Sequence, residues 1–353
     1  AVLSILAAMA MPAIATANEF IRATVVEVVS ESQVYAPGLQ IEQTLQVIRA
    51  KTDTGEFITI ENDRFPLEPG DAFFARYLDV DGERLYTVQE PDRRNALVLS
   101  VLMFAGVVIA IGRLVGLRSL VSLGVSFGVI MFVLLPALTS GASPILVSIV
   151  LSMVILALAM LITHGFSRTT LAAFVGSIVT IIVAILVGDF FVSFAHLTGF
   201  ADDTATILNL STGGVLNMQG ILLGALIIGI LGIVDDLAIT QVATVAALYD
   251  ANNALSKHEL YKRAMRVGRD HLGAVVNTLF LAYAGAAMPL LLLFTLSPSS
   301  PFILINSEII AIEIIRAAVG GAALALALPI ATYCGIVALR FPQSSHEPQG
   351  HVH

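Results

Sequence analysis

Long apolar runs and short alternating segments divide the chain into two different parts. Between residues 18 and 95, β-branched and aromatic positions occur in short segments separated by turn sequences rich in Gly, Pro and Asp. This pattern predicts five short strands and therefore a small β-barrel, either OB-like or SH3-like. From residue 96 to 340 the pattern changes to long apolar runs. Seven of these runs have the length of transmembrane helices: 96–112, 119–139, 144–163, 169–188, 218–248, 271–296 and 309–339.

The composition supports a membrane protein. The 353 residues are 57% hydrophobic and only 12% charged, whereas about 25% of the residues in an average soluble protein are charged. We therefore predict a polytopic all-α membrane bundle of about seven transmembrane helices with a small N-terminal extracytoplasmic β-barrel-like domain. Residues 18–95 carry 15 acidic and 8 basic residues, so the β domain is acidic. The chain has no basic cluster of the kind that binds nucleic acid.

The first 17 residues are apolar and end in the small-residue sequence Ala15-Thr16-Ala17. Two interpretations remain open for this segment, a cleaved signal peptide and an uncleaved N-terminal anchor helix. Both interpretations place the β domain on the non-cytoplasmic side of the membrane.

The distribution of Lys and Arg tests this orientation, because cytoplasmic loops retain basic residues. If residue 95 lies outside, Arg316 is the one basic residue in the predicted outer loops. The inner connections and tail would hold Arg113, Arg118, Arg168, Lys257, Lys262, Arg263, Arg266, Arg269 and Arg340. We therefore expect a multipass protein with an external N-terminal domain and a cytoplasmic tail at residues 341–353.

Two adjacent acidic residues, Asp235 and Asp236, interrupt the apolar stretch 217–249, which contains no other Asp and no Glu, Lys or Arg. An ionised carboxylate in the bilayer centre costs roughly 2.5 kcal/mol or more, so it usually faces a partner, an ion or water. Because the pair falls near the middle of the stretch, we predict a cation or proton site near mid-membrane. Adjacent helical residues point about 100° apart, so the two carboxylates need not do the same job.

The residues around the pair suggest how such a site is built. Small or polar residues share the predicted helix face of Asp236, and we expect this face to pack closely: Ala225, Gly229, Gly232, Thr240, Ala243 and Ala247. The glycine-rich sequence 224–232 leaves open a helix that is broken near mid-membrane and one that is continuous. Candidate further ligands are the polar residues Thr240, Gln241, Asn277 and Thr278.

Polar residues near the predicted helix ends are candidates for a gate or a proton relay. They are Asp270, His271, Glu308, Glu313 and Arg316. Glu313 and Arg316 lie three residues apart and are expected to pair on the helix surface, as a gate or as a structural clasp. A small-xxx-small pair at Gly220 and Gly224 leaves a homodimer open.

Sequences typical of enzymes do not occur. His258-Glu259 begins like a zinc-protease helix, but Lys262 stands where the second histidine is needed. The sequence also contains no nucleophile elbow and no Walker loop, and we expect neither an enzymatic activity nor a cofactor. Because Cys, Met and His do not cluster, a bound cation is expected to be a hard one such as H⁺, Na⁺, Mg²⁺ or Mn²⁺.

Three runs of the membrane part, 220–248, 261–294 and 305–332, resemble the YibE/F-like family of bacterial multipass membrane proteins, the first through its GILGIVDDLAIT segment. Residues that match the family pattern are Asp236, Gly268, Asp270, His271, Asn277, Thr278, Tyr283, Gly285, Glu308, Glu313, Arg316 and Pro329. Asp235 matches only part of the family. The resemblance implies the membrane architecture more than it implies an activity.

These observations lead to one preferred function and one alternative. We predict an integral transporter or channel for a small cation, a proton, sodium or a hard divalent metal, in the bacterial cytoplasmic (inner) membrane. Its partners would be the lipid bilayer and the cation. The alternative is a non-transporting membrane scaffold or sensor whose exported β domain binds an envelope partner.

Overall fold

A computed structural model of the protein describes residues 20–35, 42–80, 83–297 and 300–339. The predicted signal peptide or anchor at residues 1–17, the tail at 341–353 and Arg340 lie outside the described residues. The chain forms two units, one up to Ile111 and one from Gly112 onward, and each is described by itself.

The first unit contains a five-stranded antiparallel half-barrel. Its strands are β1 (Phe20–Tyr35), β2 (Glu42–Thr52), β3 (Phe57–Asn62), β4 (Ala72–Val80) and β5 (Glu83–Pro91), in the order β3-β2-β1-β4-β5. The long strand β1 pairs with β2 and with β4, and irregular register between Val25 and Glu27 and between Val28 and Ser30 lets it bend. Strand β5 comes close to β3, which curves the sheet toward closure. Of the two barrel types predicted, this strand order favours the OB-like one.

Alternation of side chains explains the core of the half-barrel. In β3, Ile58 and Ile60 point inward and their neighbours point outward, as expected for a strand with one buried face. Two buried amide side chains of this core, Gln46 and Asn62, are hydrogen-bonded. Gln46 Oε1 accepts hydrogen bonds from Asn62 Nδ2 (3.2 Å) and from the backbone N–H of Leu67 (2.9 Å). These bonds tie the segment after β3 to the sheet.

A charged cluster closes the end of β5. The Asp92 side chain is only 5% exposed and accepts hydrogen bonds from Arg22 Nε (2.7 Å) and from Arg94 Nη2 (2.7 Å) and Nε (2.8 Å). The Arg94 guanidinium, together with that of Arg22, holds the pKa of the Asp92 carboxyl well below its usual range. The cluster joins β1 to the start of the first helix.

Helices make up the rest of the described chain. They are α1 (Arg94–Val129), followed by a π-helical turn (Ile130–Leu134), α2 (Leu135–Thr139), α3 (Pro144–His164), α4 (Arg168–Phe194), α5 (Asp203–Ser211), α6 (Met218–Ala251), α7 (Lys257–Ala286), α8 (Met288–Leu296), α9 (Pro301–Ile305) and α10 (Glu308–Ala338). Five helical segments of the described chain are long and apolar enough to cross a membrane, or six if the bent pair α7 and α8 is one span.

Two breaks decide how the predicted runs relate to these helices. The predicted runs 96–112 and 119–139 belong to one helical stretch of 46 residues, Arg94–Thr139, which is interrupted where Arg113 adopts a φ of +50°. The predicted run 271–296 is bent by 62° between α7 and α8. Pro289 lies in the first turn of α8, where its missing N–H removes a helical hydrogen bond and favours the break.

Helices α4, α6 and α10 form the centre of the second unit, with α3 packed on α6 and α7 on α10. The segment 257–269 carries the basic residues predicted for an inner connection, and it forms the first half of α7. Its apolar face, with Leu260 and Ala264 fully buried, packs against Val245 of α6 and Ile336 of α10. Protein therefore covers this apolar face, and the basic side chains point away from it.

Candidate functional site

A polar crevice of about 440 Å³ lies between α1, α3 and α6 in the second unit. Seven polar residues line it: Ser119, Ser122 and Ser126 of α1, Thr163 and His164 of α3, and Asp235 and Asp236 of α6. The other lining residues are apolar or glycine, and neither Lys nor Arg is among them. Helical periodicity explains the serine edge, because residues spaced i, i+3 and i+7 lie on one face of a helix.

The predicted aspartate pair is therefore in the crevice, and its two members differ. Asp235 is half-buried and Asp236 is exposed, as their divergence on the helix predicts. Neither carboxylate has an ion pair or a hydrogen bond within the part of the chain that the structure describes. Helix α6 runs unbroken through the glycine-rich sequence, so the continuous helix is confirmed and the broken one is wrong.

The alignment of α3 and α6 locates the pair along the crevice. Helices α3 and α6 run side by side. Pro144 lies beside Gly220 and Ser148 lies beside Gly224, which shows that the two helices run in the same direction. This register puts His164, the last residue of α3, level with about residue 240 of α6 at ~1.5 Å per residue. The aspartates thus lie about two helical turns or less from the His164 end of the crevice. The pair is nevertheless central in α6, because α6 extends well beyond the end of α3.

The helix face that carries Asp236 is exposed. All six residues predicted to share a closely packed face with it, Ala225, Gly229, Gly232, Thr240, Ala243 and Ala247, are exposed. That prediction is wrong because large aliphatic residues on other faces of α6, such as Val234 and Leu237, make its helix contacts. The Gly220 and Gly224 pair does pack closely, but against α3 of the same chain, so it does not supply a face for a homodimer.

The other candidate ligands lie elsewhere. Gln241 is buried and donates from Nε2 to Thr332 Oγ1 (2.7 Å) and to the carbonyl oxygen of Ala264 (3.1 Å), so it links α6, α7 and α10. Asn277 and Thr278 are exposed on α7, and Thr278 Oγ1 donates to Ala274 of its own helix (3.0 Å). These three residues and Thr240 do not line the crevice.

The residues predicted for a gate or relay do not line the crevice either. Asp270 and His271 are exposed on α7. Glu308 accepts hydrogen bonds from the backbone N–H groups of Thr198 and Gly199, both at 2.7 Å, and so clamps the segment after α4 to the start of α10.

The predicted pair of Glu313 and Arg316 is confirmed. Arg316 Nη1 lies 2.6 Å from Glu313 Oε1, and both side chains are about one-third exposed. The pair forms along α10 itself rather than across to another helix.

Sequence reasoning missed five of the seven polar residues of the crevice. The serine spacing in α1 was a detectable signal, whereas Thr163 and His164 have no such pattern. Within the described ranges, His, Cys, Asp and Glu do not come together in any group of three or more that could hold a metal ion. The crevice therefore combines two carboxylates with hydroxyl groups rather than with further acids.

Comparison with known proteins gives one match. A family model described as YibE/F-like protein matches residues 100–340, which include every lining residue of the crevice. Searches of curated proteins and of solved structures find no match.

Proposed function

The chain belongs to the YibE/F-like family, and from the acidic crevice of its membrane part we propose that it is a transporter or channel for a small cation. The cation would be a proton, sodium or a hard divalent metal, and Asp235 and Asp236 would bind it. Gln241, Asn277 and Thr278 have no part in this proposal, because they lie away from the crevice.

One observation carries the proposal: two carboxylates without a basic partner line a crevice between apolar helices. An acidic side chain in such surroundings is costly unless a cation, a proton or water stabilises it. The hydroxyl groups of Ser119, Ser122 and Ser126 add neutral oxygen atoms on the facing helix. Carboxylate and hydroxyl oxygens are the ligands that hard cations prefer.

The arrangement in the membrane forms part of the proposal. Counting both halves of the Arg94–Thr139 stretch and the bent pair of α7 and α8, the chain crosses the bacterial inner membrane seven times. The half-barrel then lies outside and the C-terminus inside, consistent with the excess of Lys and Arg in the inner connections. In this orientation the His164 end of the crevice faces the cytoplasm. The cation would reach Asp236 first and the more buried Asp235 next.

Flux measurements in liposomes test the proposal. The purified protein is reconstituted, and uptake of protons, Na⁺ and Mn²⁺ is measured for wild type, Asp235→Asn and Asp236→Asn. We expect both substitutions to lower the flux of the transported cation about tenfold or more, because each removes a charge that binds it. Asp250→Asn is the matched control, since Asp250 is an exposed acid near the end of the same helix and outside the crevice. Equal fluxes for all four proteins would overturn the proposal.

A second function, a membrane scaffold or sensor, is favoured by the surface of the half-barrel. Phe20, Leu78 and Leu85 are 57%, 46% and 60% exposed. They lie on one face of the sheet. Phe20 pairs with Arg76 and Leu85 pairs with Leu78, and Arg76 and Leu78 are two residues apart on β4, so their side chains point to the same side. Such a patch would suit an apolar envelope partner. This function predicts no cation flux in wild type, so the liposome experiment separates it from transport.

A further inference from the structure

A buried serine hydroxyl lies on the face of α3 that lines the crevice. Residues Ser148, Ser152, Leu156, Ala159 and Thr163 recur at spacings of three and four and therefore share one face of the helix. Leu156, Ala159 and Thr163 line the crevice. Ser152 lies one turn beyond them and is only 1% exposed. Its hydroxyl makes no hydrogen bond to any part of the chain that the structure describes.

A buried hydroxyl without a partner is unfavourable by about 1–3 kcal/mol. Serine and threonine hydroxyls in a helix often avoid this cost by bonding to the preceding turn. Thr180 of α4 does so, because its Oγ1 donates to the carbonyl oxygen of Gly176 at 2.8 Å. Ser152 is equally buried and forms no such bond, so its hydroxyl is free to bind a ligand.

The next residue of this face, Ser148, lies in space that a glycine keeps open. Ser148 is 2% exposed and lies opposite Gly224 of α6. A Cβ atom at Gly224 would collide with the Ser148 hydroxyl oxygen, so the glycine leaves room for that oxygen between the two helices. Two consecutive turns of α3 thus carry buried hydroxyls beyond Ile155 and Leu156, the lining residues of α3 that lie farthest from His164.

We propose that the hydroxyls of Ser152 and Ser148 form an inner cation site that extends the path from the aspartates toward the Pro144 end of the bundle. This inference rests on the proposed transport function. The two hydroxyls supply neutral oxygen ligands to a small monovalent cation, H₃O⁺ or Na⁺, that has passed Asp235. The side chains of Leu156 and Ile228 form the constriction between the crevice and this site.

Thiol labelling tests whether Ser152 is reached from the crevice. The lone cysteine is first replaced by Cys334→Ala, and Ser152→Cys, Ser122→Cys and Ser177→Cys are then made separately in that background. Ser122 lines the crevice, whereas Ser177 of α4 is fully buried, has no hydrogen bond among the described residues and does not line the crevice. With 2-aminoethyl methanethiosulfonate, a small cationic reagent, we expect labelling of the Ser122→Cys and Ser152→Cys variants but not of Ser177→Cys. Labelling of Ser122→Cys alone would overturn the inner site.

Flux measurements separate this inference from the function on which it rests. In liposomes, Ser152→Ala is expected to lower Na⁺ or proton flux about tenfold, the effect of losing one ligand worth ~1.4 kcal/mol, while Ser177→Ala leaves it unchanged. Wild-type flux that persists in Ser152→Ala would overturn the inner site and leave transport through the crevice standing. A wild type without any cation flux would overturn both.

Discussion

Asp92 of the half-barrel and the aspartates of the helical bundle have opposite surroundings. In the half-barrel, the buried carboxylate of Asp92 accepts hydrogen bonds from two guanidinium groups, and Asn62 donates a hydrogen bond to Gln46. In the bundle, Asp235 and Asp236 face a crevice whose lining contains neither Lys nor Arg. The first arrangement holds a structure together, because each charge is compensated where it lies. The second leaves charge available for a ligand.

Under the proposed function, pairing distinguishes structural from cation-binding residues in this chain better than position in the membrane does. Gln241 lies only five residues beyond Asp236, yet its two interhelical hydrogen bonds make it a structural link. Glu308 is likewise occupied by backbone N–H groups. The following substitutions test this distinction in each unit.

The largest loss of stability is expected from Asp92→Asn in the half-barrel. The substitution leaves Arg22 and Arg94 without their carboxylate, and breaking a buried pair costs roughly 3–5 kcal/mol. Because the two arginine side chains are 32% and 49% exposed, water compensates part of this cost, and we expect about 2 kcal/mol. Hydrogen exchange of the β1 and β4 amides in the full-length protein measures it, as an increase of about 30-fold in the opening equilibrium.

The pH dependence of the same region supplies the control. The folded-state pKa of Asp92 is depressed, so its stabilisation is present above the unfolded-state value of about 4 and is lost as pH falls below it. Protection of β1 should stay constant between about pH 7 and 5 and decline below about pH 4. The decline should be smaller in Asp92→Asn. An identical acid profile in both proteins would show that Asp92 is not the titrating group.

The elements of the fold could be predicted from the sequence more fully than the site could. The two-residue and 3.6-residue periodicities fix which residues form strands and helices, and apolar length identifies the membrane segments. The crevice depends instead on how separate helices are aligned. Thr163 and His164 line the same crevice as the aspartates only because α3 and α6 are aligned through Pro144 and Gly220. No local pattern in either helix specifies that alignment.

The same limit explains the wrong prediction for the face of Asp236. A face of small residues permits close packing, but larger aliphatic residues on other faces of α6 bury more apolar area and therefore make the helix contacts. Periodicity alone identifies which residues share a face, and it does not identify the neighbour of that face. Two features of the site were visible in the sequence, the acidic pair in an apolar stretch and the serine spacing in α1.

A smaller loss is expected from Gln241→Leu in the bundle. The substitution introduces an apolar side chain of similar size and removes the hydrogen bonds to Thr332 and Ala264, for an expected loss of about 1.5 kcal/mol. Unfolding in mixed detergent micelles measures this change. Thr244→Ala is the control, because Thr244 Oγ1 donates only within its own helix, to the carbonyl oxygen of Thr240 (2.9 Å). A loss no larger than that of the control would remove Gln241 from the structural group.

The smallest effect on stability is expected from Asp235→Asn, although the same substitution should lower flux strongly. Its carboxylate has no ion pair or hydrogen bond within the described chain, so removal of the charge breaks no contact and reduces the cost of placing a charge among apolar helices. We expect the free energy of unfolding in mixed micelles to stay within about 0.5 kcal/mol of wild type or to rise. A loss of about 2 kcal/mol would instead class Asp235 with Asp92 as a structural residue. The distinction between Asp92, which stabilises the half-barrel, and Asp235, which is proposed only to bind a cation, would then be wrong.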